Sequence, residues 1–120
     1  MATPGKRGSI DFGVVCSLVA HLPGIEQGPS YGTPALRVRG KLFARFHQDG
    51  ESLVVRVEFD QRETLLVAEP DAFFLTDHYL RHPWILVRLA SVDRQMLQTV
   101  LEHAWRLRAP RALVKQVDEN

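Results

Sequence analysis

Among the residues with the types needed for nucleophilic or metal chemistry, Cys16 with His21 and His78 with His82 come nearest to a working spacing, and their surroundings argue against both. A cysteine nucleophile needs a neighbouring cation or base to hold its thiolate. Cys16 sits inside an apolar run with no nearby cation, and His21 is its only partner of suitable type, so an inert buried thiol is expected. His78 and His82 stand four apart, a chelating spacing on a continuous helix. Pro83 pushes His82 out of helical geometry, and no third ligand follows at motif spacing. The chain has no Gly-rich phosphate loop, no Gly-x-Ser-x-Gly elbow and no convincing acidic pair. No enzymatic activity, cofactor or metal site is therefore expected.

Binding is better supported. Net charge is only +1, but it is segregated along the chain. Residues 33–48 hold Arg37, Arg39, Lys41 and Arg45 with no acid, whereas residues 49–71 hold seven acids against Arg56 and Arg62. Arg106, Arg108, Arg111 and Lys115 form a second basic cluster. Cations at a helix C-terminus complement its dipole by about 0.3–1 kcal/mol each, which explains that cluster structurally; extension of a basic footprint is the alternative.

The elements that would position these groups follow from periodicity. Residues 10–22 read as a mostly apolar helix capped by Ser9 and closed by Pro23-Gly24. A short extended segment follows near Ile25. Leu36 and Val38 alternate with Arg37 and Arg39, then Leu42, Ala44 and Phe46 with Lys41, Phe43 and Arg45. Asp49-Gly50 signals a tight hairpin, and Leu53, Val55 and Val57 return on the apolar face. Strict alternation puts Arg37, Arg39, Lys41, Phe43, Arg45 and Arg56 on the wet face of a meander. A second helix starts at Asp60 and ends near Ala68. Short strands follow at 73–75 and 84–89, then a helix capped by Asp93 with the stripe Leu97, Val100, Leu101, Ala104 and Leu107. The expected fold is α+β, a two-layer sandwich of order about α-β-β-β-α-β-β-α, with helices on one face of an antiparallel sheet. Residues 1–8 are expected as a flexible tail, 9–110 as one domain and 111–120 as a C-terminal tail.

Several motifs then converge on one family. Ser30-Tyr31-Gly32-Thr33-Pro34-Ala35, Arg39-Gly40-Lys41-Leu42-Phe43-Ala44, Thr76-Asp77-His78-Tyr79, Pro83-Trp84 with Val87-Arg88-Leu89, and Ala104-Trp105-Arg106 resemble the bacterial YjbR/MmcQ-like family. The likeness runs from about Ile10 to Pro110. It implies a two-layer fold similar to frataxin-like and secretion-chaperone-like domains, and a double-wing surface suggested to bind DNA. Frataxin-like iron binding would need an acidic ridge, for which Asp11 and Glu26 do not suffice.

The basic meander face would contact phosphates, with Phe43 stacking on an unpaired base. Its alternative reading is a solvated face that discourages edge pairing. Tyr31, Thr33, Lys41, His78, Tyr79, Trp84 and Arg88, all within the family-like motifs, would form a polar-rimmed aromatic pocket if they converge. Otherwise they cap turns and bury rings. The expectation is a non-enzymatic binding protein, with DNA as the leading partner. A protein partner, self-association through the first helix, or a small ligand is the alternative. A lone cysteine suits a reducing cytoplasm, and no apolar run is long enough to span a membrane.

Overall fold

The structure, a computed structural model, describes residues 10–119; the expected tail 1–8 and Ser9 cap lie outside the described residues. Asp11 caps helix α1 (Phe12–Val19) instead, its Oδ1 accepting from the Val14 amide at 2.9 Å. Strands β1 (Ile25–Ser30), β2 (Thr33–Val38), β3 (Lys41–Phe46) and β4 (Ser52–Arg56) form the meander, so the extended segment at Ile25 is a full strand. Helix α2 (Phe59–Ala68), strand β5 (Phe73–Phe74), a 3-10 turn (Asp77–Tyr79), strand β6 (Trp84–Arg88), helix α3 (Arg94–Arg108) and helix α4 (Arg111–Asp118) complete the order. The six strands run β1-β2-β3-β4-β6-β5, every neighbour antiparallel.

Two hairpins close on Tyr31-Gly32 and Arg39-Gly40. Their φ values of 53° and 79°, then 50° and 81°, belong to a two-residue turn whose twist matches that of the strands. Arg39 is therefore a turn residue rather than a member of the wet strand face.

A bulge changes the face of one expected binding residue. Leu36 pairs with Ala44 and Arg37 with Leu42, leaving Phe43 as the extra residue of β3. Alternation restarts across it, so Phe43 and Ala44 both point under the helices, each with no exposed surface. Phe43 is a core residue, and the expectation that it stacks on a base from the open face is corrected. Arg45, next along the strand, points to the opposite face, and it too is buried.

The main core lies between sheet and helices. Leu53 and Val55, Ile85 and Val87, and Leu36 and Val38 meet Leu97, Val100, Leu101, Ala104 and Trp105 of α3. Trp105 is fully buried, its Nε1 donating to the Pro23 carbonyl at 3.1 Å, while Leu107 from the expected stripe is only half-buried. Helix α1 buries Val15 and Val19 in the same core and sets Phe12 edge-on to Phe46, 5.6 Å between centroids. Residues 111–118 form α4 in place of the expected tail. Pro110 breaks α3, and its carbonyl accepts from the Leu113 and Val114 amides to start the next helix. Leu113 is buried, and Arg106 pairs with Asp118 at 2.7 Å. No described helix is long and apolar enough to cross a membrane.

Candidate functional site

The sheet has a second face, turned away from the α3 core. Val54 and Arg56 of β4, Leu86 and Trp84 of β6 and Arg45 of β3 project there, because strand residues alternate. Val54 and Leu86 are closed over by Tyr79 from the 3-10 turn, making a second small cluster with Phe74 and Trp84. Beside this cluster opens a pocket of about 590 Å³. Leu42, Val54 and Arg45 form its sheet side; His78, Tyr79, His82 and Trp84 form the 77–84 side; Tyr31, His47 and Gln48 come from two loops.

Arg45 is the charged group of the pocket. It is 7% exposed, and no carboxylate forms an ion pair with it among the described residues. Its Nη1 donates to the Phe46 carbonyl at 3.0 Å, and its Nη2 makes a very short hydrogen bond to the Tyr79 hydroxyl. The Tyr31 ring lies 5.7 Å from the guanidinium carbon. A guanidinium has five N–H donors, so most remain for another acceptor. No aspartate or glutamate lines the pocket.

A second buried arginine builds the 77–84 side. Arg62 of α2 is 5% exposed and donates to the carbonyls of Tyr79 (3.0 Å), His82 (2.8 Å), Trp84 (3.3 Å) and Leu80 (3.0 Å). Its guanidinium also stacks on Phe59 at 4.9 Å, and its Nε has no partner. This clamp turns an irregular segment into a fixed wall. Sequence reading missed it, although Arg62, Leu65 and Leu66 share the i, i+3, i+4 spacing of one helix face.

The expected pocket set is brought together in part. Tyr31, His78, Tyr79 and Trp84 converge. Thr33 does not; its hydroxyl donates to the Ser30 carbonyl at 2.8 Å. Arg88 lies away over Phe74 at 4.2 Å, near the Pro70 and Asp71 carbonyls. Lys41 is exposed at the start of β3 and does not line the pocket.

The basic strip is equally divided. Arg37 donates to the Pro29 carbonyl at 3.1 Å and faces Glu26 across the strands. Arg56 stacks on Trp84 at 5.6 Å; burial pulls its guanidinium below the ordinary arginine value, and the like charge of Arg108 adds to this. The arginines of the open face are thus packed on aromatic rings or backbone. The Asp49-Gly50 wing is acidic at its tip, with Asp49 and Glu51 exposed. Burial works to raise the Asp49 carboxyl, but hydrogen bonds from the Glu51 and Ser52 amides and the Ser52 hydroxyl, with His47 nearby, hold it below the usual value.

The remaining nucleophile and metal candidates have structural surroundings. Burial pushes the Cys16 thiol up, and His21 bonds Glu102 at 2.6 Å. The His78 and His82 rings lie 6.2 Å apart, and the described residues contain no group of three ligands placed to hold a metal.

Comparisons with known proteins agree with this architecture. A family model described as YjbR matches residues 20–107. Uncharacterized protein Rv2570 of Mycobacterium tuberculosis and uncharacterized protein Mb2600 of Mycobacterium bovis are each 36% identical over 67 residues, 55% of this chain and 52% of the relative. The chain thus spans about half the length of these curated relatives in the match. Protein DR2400 of Deinococcus radiodurans, a DUF419-domain structure, superposes with a TM-score of 0.71 at 20% identity, covering 85% of this chain and 80% of that one. With most of its length matched by the family model and its fold shared with that structure, the chain belongs to the YjbR family.

Proposed function

We propose that this chain is a non-enzymatic binding protein that captures an anionic ligand in the pocket over Arg45, on the sheet face turned away from α3. One observation carries the reading: a nearly buried guanidinium, without a carboxylate partner among the described residues, lines a pocket that contains no acid. A buried charge is costly unless something compensates it, and an incoming anion does so. The pocket size falls within the range of about 300–1,000 Å³ usual for small-ligand sites. Calorimetric titration with inorganic phosphate, cyclohexanecarboxylate and 2-naphthoate tests the reading. At least one should bind saturably, and Arg45→Met should weaken it more than tenfold. Failure of all three to bind at millimolar concentration overturns it.

Nucleic acid is the second reading, favoured by the exposed Arg39 and Lys41 on the β2–β3 hairpin beside Arg37. Phosphate contacts by three cations give a steep loss of affinity with salt. Duplex DNA binding that survives Arg37→Glu combined with Arg39→Glu removes this reading. The buried positions of Arg45 and Phe43 and the acidic wing tip weigh against it.

A further inference from the structure

The ligand class can be narrowed, on the footing of the anion-binding reading above. We infer that the pocket is built for a flat aromatic monoanion, a conjugated ring system bearing one carboxylate. The charge argument comes first. Arg45 is the single permanently charged group of the lining, and two of its donors are already spent on Phe46 and Tyr79. Because the Tyr79 hydroxyl accepts from Arg45, its own proton is free to point at a ligand. Arg45 and Tyr79 together offer two adjacent donors, the pattern that suits the two oxygens of a carboxylate. A phosphate carries about 1.5–2 negative charges and three acceptor oxygens, and is met elsewhere by Lys, several arginines or a loop of amides. None of those lines this pocket.

The shape argument is independent. Beyond the two donors most of the lining is aromatic: Trp84, the largely exposed Tyr31 at the rim, His47, His82 and His78, the last set edge-on to Tyr79 at 4.6 Å, with Gln48 the one amide. Leu42 and Val54 supply an apolar base. Rings of this kind favour offset or edge-on contact with another ring over contact with a saturated body. Trp84 is held in place by its neighbour on the same face, the Arg56 guanidinium stacked 5.6 Å from its ring, and by strand pairing with that residue.

The experiment compares four probes on the full chain by calorimetry: 2-naphthoate, 2-naphthalenemethanol, cyclohexanecarboxylate and adenosine monophosphate. In parallel, the two tryptophan indole N–H resonances are followed by NMR. Naphthoate should bind at least tenfold more tightly than each of the others. It should shift the Trp84 resonance and leave that of Trp105, which is fully buried against Pro23, in place. Trp84→Leu should remove the preference for naphthoate over cyclohexanecarboxylate; a preference that survives the substitution overturns the stacking argument. Equal binding of naphthoate and cyclohexanecarboxylate overturns the aromatic class but leaves an anion site. Equal binding of naphthalenemethanol overturns the requirement for charge. Tighter binding of adenosine monophosphate assigns the pocket to nucleotides and overturns the carboxylate. Binding of none of the anions removes the anion site itself.

Discussion

Replacing Arg62 by Met should loosen the 77–84 wall of the pocket although Arg62 itself does not line it. Methionine keeps an apolar stem of similar length against Phe59 but removes every donor. Four carbonyls lose hydrogen bonds of 2.8–3.3 Å. Three of the carbonyls share the two N–H groups of Nη1, so about three full bonds are lost; at about 1.5–3 kcal/mol each to a charged group, the gross loss is of order 5–9 kcal/mol. Much of that is offset. The guanidinium's own desolvation penalty disappears, and carbonyls in a segment that contains exposed Leu80 can take water instead. A net destabilisation of about 2–4 kcal/mol is expected, which for a domain of this size lowers Tm by roughly 10–20 °C. Arg62→Lys keeps the charge but not the fork of donors, and should lose about half as much. Urea denaturation gives the stability, and hydrogen exchange locates it. The amides of Tyr79, Leu80, His82 and Trp84, all bonded within this segment, should exchange faster than those of β3 and β4. Anion affinity should fall at temperatures where the chain is still folded. Destabilisation below about 0.5 kcal/mol, with exchange over 77–84 unchanged, refutes the clamp.

Three further predictions test other parts of the reasoning. Phe43→Ala should cost about 3–5 kcal/mol in urea denaturation, because the ring fills the main core; a loss under about 1 kcal/mol, with reduced nucleic-acid binding, would restore it to the open face. Leu113→Ala should cost about 2 kcal/mol and speed amide exchange across α4 while the sheet stays protected; uniform exchange would show that α4 is not docked through this residue. Asp49 has a folded carboxyl held below its ordinary value of 3.8, so it stabilises the hairpin above that pH and loses its contribution as pH falls through the lower folded value. The stability gap between wild type and Asp49→Asn should accordingly be constant near neutrality and shrink at acid pH; a gap unchanged at pH 2.5 contradicts it.

Local chemistry made much of the architecture legible. Asp93 caps α3 as read, its Oδ2 accepting from the Met96 amide at 3.1 Å, because a cap needs only residues three apart. The Asp49-Gly50 hairpin was legible for the same reason, with Gly50 at φ 73°. Leu53, Val55 and Val57 lie on the core side as alternation requires. The α4 helix was hidden by Pro110, which ends one helix and begins another with equal ease; only the docking of Leu113 decides which outcome follows.

The sequence by itself determined that this is an α+β domain of antiparallel strands and amphipathic helices, since period, caps and turn residues act over a few positions. Tertiary structure alone decided where the pocket lies. The bulge at Phe43 arises from pairing with β2, and it reverses which neighbours of Arg45 see solvent. The convergence of Tyr31, Arg45, His47 and Tyr79 joins loops, sheet and 3-10 turn that are far apart in the chain. Arg62 acquires its role only because α2 carries it beneath the carbonyls of residues 79–84. Long-range packing, which no local pattern encodes, turned a suspected basic strip into a pocket with one buried charge.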